Sequence, residues 1–199
     1  GLGLALVSQG HFQEALKSLR KGHEIGSKRP DWPYPTMEFI ASVEQQAELE
    51  DRLNRVLSGE REPRDAVERI AFARMLCAKS RHADSARMYA EAFAGDPSLA
   101  EAEGNRYNAA CSASLEAARG GADAAEWRGR ALEWLRADLA ALGTAPSDLV
   151  ATLEHWKTDP DLASVRDRLG DLPEPEREPW RGLWKAVDLA LAAAQPAAK

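Results

Sequence analysis

Residues 2–19, LGLALVSQGHFQEALKSL, and residues 72–97, FARMLCAKSRHADSARMYAEAFAGDP, decide the fold, because one spacing of small and large side chains runs through both. In the first stretch Leu2, Gly3 and Leu6 precede a turn at Gly10 and Phe12, and Ala15 and Leu19 follow it. In the second, Phe72, Ala73 and Leu76 precede a turn at Ser80 and His82, then Ser85, Tyr89 and Ala92 follow, and Pro97 closes the unit. Gly3, Ala15, Ala73 and Ser85 are small enough for two helices to approach closely, while Leu6, Leu19, Leu76 and Tyr89 fill the space between them. Two helical hairpins of one pattern predict a stack of repeats spaced by about 34 residues.

Outward from these pairs the pattern weakens. Tyr107, Ala110 and Cys111 match a first helix, but Ala131 and Leu135 arrive about eight residues late, an insertion that the Gly120-Gly121 loop absorbs. Between the two clear pairs lies a proline-rich connector, Lys28 to Pro35, in which Trp32 and Tyr34 are expected to pack on a neighbouring helix. A long helix from about Thr36 to Ser58 follows, with Phe39, Val43, Leu53 and Val56 on its apolar face. Further stripes occur at Ala131, Trp134, Leu135, Leu139 and Leu142, at Leu149, Leu153 and Trp156, and at Trp180, Leu183, Trp184, Val187 and Leu191. β-Branched residues are scarce and no stretch alternates like a strand, so the fold class is all-α.

The expected architecture is a right-handed helical solenoid of about eight to nine helices with degenerate repeats and a C-terminal capping helix. As a single domain, 1–199, it divides into a repeat (1–30), a connector and diverged repeat (31–63), a repeat (64–97), a degenerate repeat with an insertion (98–143) and C-terminal capping helices (144–199). Helix starts are legible where a short polar side chain can accept from an unpaired backbone N–H. Asp65 with Glu68, Asp96 before Pro97 and Asp159 before Pro160 fit, and Thr36 and Ser147 are further candidates. Gly170 to Pro179 reads as an ordered connector, and Gln195 to Lys199 as a frayed end.

The two hairpins resemble tetratricopeptide (TPR) repeats. Four strings, RPDWPYP at Arg29, RYNAAC at Arg106, ALEWLRADL at Ala131 and LEHWKTDPDLASVRD at Leu153, resemble the C-terminal repeat regions of large bacterial serine/threonine kinases. That resemblance covers nearly the whole chain and implies a regulatory or scaffolding segment of a signalling polypeptide. It transfers no catalytic residue, because the glycine-rich loop, the HRD loop and the DFG triplet of a kinase domain are all missing here. In such arrays the first helix of each pair lines a concave surface. The family register points Leu4, Val7, Ile70, Arg74, Asn105, Asn108 and Ser112 inward, with Arg74, Asn105, Asn108 and Ser112 as the polar contacts of a peptide-binding groove.

Composition narrows the function classes. A net charge of −6 argues against a nucleic-acid or anionic-membrane partner, since both require a basic face. Cys77 and Cys111, far apart and without CxxC spacing, indicate neither a disulfide scaffold nor a zinc site and suit a reducing, cytoplasmic setting. The start at Gly1, without a methionine and inside a helical pattern, reads as a piece of a longer polypeptide.

Chemistry has little to stand on. Cys111 with His82 or His155 can be imagined as a nucleophile and base, yet Cys111 occupies the small position of a repeat helix, where burial is expected. Asp159 and Asp161 lack the glycine and distal glutamate of a calcium loop and are better read as helix caps. The basic cluster Lys17, Arg20, Lys21, Lys28 and Arg29 is an exposed helix face that can attract an acidic or phosphorylated segment. The expectation is a protein-interaction module without catalytic residues, metal or cofactor, with a structural spacer and a thiol enzyme as alternatives.

Overall fold

A computed structural model describes residues 2–32, 34–102, 104–142 and 146–194, and for 146–148 the helical backbone alone. The described residues form ten α-helices and no strand: α1 Leu2–Ser8, α2 Phe12–Gly26, α3 Thr36–Leu57, α4 Ala66–Ala78, α5 His82–Gly95, α6 Asn105–Ala118, α7 Ala124–Ala141, α8 Pro146–Thr158, α9 Ala163–Arg166 and α10 Glu174–Ala194. They fall into two compact units, Gly1–Arg64 and Asp65–Lys199.

In the first unit α2 packs on both α1 and α3. Its core joins Ala15 and Leu16 of α2 to Ile40, Val43 and Ala47 of α3, with Leu6 and Leu19 against them. The close approach expected at the small positions is present: a side chain added at Gly3 would come within 2.7 Å of Leu19 Cγ. In the second unit α4, α5, α6 and α7 pack in succession, and α10 lies against α7 and α8. One apolar cluster joins Ile70, Ala73, Tyr89, Ala92 and Ala109, and a larger one runs through Ala131, Leu135, Leu153, Trp156, Trp180, Leu183 and Val187. Trp180 and Trp156 are almost wholly buried, so the α8 and α10 stripes sit where their periodicity put them.

The two hairpins share one turn. His11 N–H donates to Leu6 O and Gly10 N–H to Val7 O; Arg81 N–H donates to Leu76 O and Ser80 N–H to Cys77 O. This is the Schellman arrangement, which places one residue in the left-handed region to satisfy the last helical carbonyls. That residue is Gly10 at φ 75° in the first hairpin and Ser80 at φ 57° in the second.

Capping follows the sequence in three places. Asp65 accepts from Glu68 N at 2.7 Å, Asp96 from Ser98 N at 3.0 Å and Asp159 from Asp161 N at 2.9 Å. After Asp96 and Asp159, however, only short 3₁₀ turns form, Pro97–Ala100 and Pro160–Leu162. Thr36 is not a cap. It is the first residue of α3, and its hydroxyl meets His23 Nδ1 at 2.5 Å.

The connector expected over 170–179 is shorter than its prolines suggested, because α10 already begins at Glu174. Pro175 lies in the first turn, where no backbone donor is required, and two glutamates there suit the helix dipole. Pro179 is accommodated inside the helix, its carbonyl accepting from Arg136. The Ser147 side chain and residues 195–199 lie outside the described residues.

Candidate functional site

The four residues assigned to a polar groove have two different fates. Asn105 opens α6 and is buried; its Oδ1 accepts from Arg74 Nη2 at 2.8 Å and its Nδ2 donates to Leu99 O at 2.8 Å. Ser112 is fully buried, 3.0 Å from Ser85 Oγ, and Ser85 in turn donates to the Ala73 carbonyl at 2.8 Å. Both side chains spend their hydrogen bonds on their own fold, so neither is presented to a ligand. Tight packing of α6 against its neighbours encloses both side chains. Arg74 and Asn108 are exposed. Arg74 reaches across to Asn105 and also hydrogen-bonds the Tyr89 hydroxyl, whose pKa burial raises to about 12.

A wide groove of about 850 Å³ lies in the first unit, walled mainly by Leu2, Leu4, Leu19, Trp32, Tyr34 and Phe39. Leu2, Leu4 and Tyr34 are more than half exposed, and among the described residues the lining includes Lys21 and His23 but no carboxylate. The connector builds its outer wall. Trp32 packs on Gly26 at the end of α2, and its ring meets Tyr34 edge-on with centroids 5.1 Å apart. The packing foreseen for Trp32 is therefore present, while Tyr34 remains open to solvent. Of the residues assigned to a concave surface, Leu4 alone lines this groove; Phe39, Trp32 and Tyr34 were legible as apolar residues, with nothing in their spacing to group them.

A second cluster surrounds Cys111 on α6. The donor atoms of Cys111, Asp159 and Asp161 all lie within 4.8 Å of one another. The Tyr107 hydroxyl donates to Asp159 Oδ2 at 2.6 Å, and the Tyr107 ring stacks on Trp156 with centroids 5.5 Å apart. His155 Nε2 sits 3.3 Å from the same carboxylate oxygen. Burial and the neighbouring Asp159 push the Cys111 thiol well above its usual range, and burial with Asp159 likewise raises Asp161. A free thiol so placed stays protonated and enclosed, the opposite of the electropositive, accessible setting of a nucleophile. Among the described residues no imidazole hydrogen-bonds to it, and no helix is long and apolar enough to cross a membrane.

No family model, no curated protein and no solved structure matches this chain.

Proposed function

We propose that the chain is a TPR-type helical solenoid acting as a protein-interaction module within a larger signalling polypeptide such as a serine/threonine kinase, with no enzymatic activity of its own. The groove between Leu4, Trp32, Tyr34 and Phe39 carries this reading, because apolar side chains left open in a concave surface stabilise a partner that covers them. Its occupant is a peptide with apolar anchor residues flanked by acidic ones. The argument is charge: in a chain of net −6 the described residues of the groove lining include Lys21 and no carboxylate, and Lys17 lies one turn earlier on α2. The shared turn geometry at Gly10 and Ser80 supports the repeat, and the kinase-like strings support the signalling context. Cys111, protonated and enclosed, gives a thiol enzyme no support.

The test is selection of a displayed random peptide library against the chain. Enriched peptides carrying apolar anchors with Asp or Glu beside them, and losing at least about tenfold in affinity against Leu4→Glu and Lys21→Glu variants, support the proposal. Enrichment of peptides that bind both variants as tightly as the original, or no enrichment, overturns it. A spacer is the second reading, favoured by Asn105 and Ser112, whose polar atoms are consumed internally; absence of any selected peptide supports it.

A further inference from the structure

We infer that Cys111, Asp159, Asp161 and His155 form a binding site for a divalent transition metal of the zinc class. The donors come from three segments: α6 gives the thiol, the last turn of α8 the imidazole, and the short turn after it both carboxylates. The sulfur and two carboxylate oxygens already lie within 4.8 Å of one another, and His155 Nε2 is 3.3 Å from Asp159 Oδ2. Ligand atoms around a tetrahedral zinc ion sit about 3.4–3.8 Å apart, given metal–ligand distances of roughly 2.0–2.3 Å. Drawing the thiol and the two carboxylates onto one ion therefore takes side-chain adjustments of about 1 Å, and the exposed His155 imidazole, which lies outside that group of three, turns further to complete the set.

The local electrostatics call for a cation. Two carboxylates converge on an enclosed thiol, and among the described residues neither carboxylate forms an ion pair with a lysine or arginine. His82 also acts electrostatically on Asp161, and among the described residues its Nδ1 is shut off from solvent without a hydrogen-bond partner. Capping uses only Asp159 Oδ1, through the bond from Asp161 N–H, and makes no demand on the Asp161 carboxylate, the thiol or either imidazole.

The surroundings also hold the donors in place. Tyr107, stacked on Trp156, fixes Asp159 Oδ2 through its hydroxyl, the outer-shell contact that orients a metal-binding carboxylate. Arg166 Nη1 donates to the backbone carbonyls of Trp156 and Asp159, pinning the segment that carries the three non-thiol ligands. The donor chemistry selects the ion. A thiolate with an imidazole suits zinc or cobalt, whereas calcium and magnesium take oxygen ligands alone. On binding, the Cys111 thiol gives up its proton and the sulfur coordinates as thiolate, so one proton leaves for each ion bound.

The experiment uses the whole chain, stripped by a chelator, kept reduced and titrated with Co²⁺ as a spectroscopic probe. Saturation at one ion per chain, a thiolate-to-cobalt charge-transfer band, and displacement by Zn²⁺ are the expected results. Cys111→Ser abolishes the band and Cys77→Ser leaves it. Asp161→Asn, at a half-buried position whose side chain makes no described hydrogen bond, keeps the helical circular dichroism and weakens Co²⁺ binding by at least about tenfold; Tyr107→Phe weakens it by about 10–100-fold. No such band in the original chain, a band that survives Cys111→Ser, or undiminished affinity in Asp161→Asn would each overturn the inference.

Discussion

The indole of Trp32 lies so close over Gly26 that a Cβ at Gly26 would stand 2.4 Å from three of its ring carbons. The last turn of α2 and the connector thus interlock at a point where only a hydrogen fits, and the wall of the apolar groove depends on it. Gly26→Ala is expected to lift the indole and lower stability by about 1 kcal/mol, with loss of peptide binding at the groove. In a Trp32→Ala background the same change is neutral or stabilising, because alanine favours helix once the ring is gone. A double-mutant cycle by urea denaturation measures the coupling.

Ser80 occupies, at φ 57°, the left-handed turn position that Gly10 fills in the first hairpin. A side chain there costs about 1 kcal/mol relative to glycine, so Ser80→Gly is expected to raise stability by about 0.5–1 kcal/mol, and Gly10→Ser to lower it by a similar amount. Urea melts of the two variants check both signs.

Asn105 and Asn108 sit one turn apart on α6 and are expected to behave oppositely. Asn105→Ala strands the Leu99 carbonyl and removes the Arg74 contact, for a loss of about 2 kcal/mol. The exposed Asn108→Ala stays within about 0.5 kcal/mol of the original chain. Equal costs would contradict the internal role given to Asn105.

Burial raises the carboxyl of Asp138 above the ordinary carboxylate value even though Arg106 lies 3.2 Å away. A carboxyl whose folded pKa is raised holds its proton more tightly in the folded state. Its contribution to stability is complete below the ordinary value near 4 and is lost as pH rises through the raised one. Relative to Asp138→Asn, the original chain is therefore expected to be more stable at about pH 3.5 than at pH 7, whatever acid does to both. Denaturant midpoints of the pair at several pH values decide it.

Much of the fold was legible because its signals are local. The hairpin spacing around Gly10 and Ser80, the aspartate caps and the α10 stripe each depend on residues a few positions apart. Pro175 and Pro179 misled because prolines in the first turn of a helix, or accommodated inside it, have the same composition as a linker. The candidate sites were far less legible. Leu4 and Phe39 flank one groove only after α2 and the connector bring them together, and nothing in their spacing says so. Cys111 and Asp161 are fifty positions apart in the sequence and meet through the packing of α6 against the 160–162 turn. Asn105 and Ser112 were expected at an open groove and are buried, and whether a helix face is open or closed depends on how nearly the neighbouring helices approach, which helical periodicity does not encode.

The Ser85–Ser112 contact bears on how this sequence can drift. Ser85 gives its single proton to the Ala73 carbonyl, so Ser112 must be the donor between the two hydroxyls. Losing either serine alone leaves the other with one fewer partner in a sealed interior, whereas losing both together removes the need for any. Descendants of this chain should therefore keep both serines or replace both, and lineages holding one alone should be short-lived.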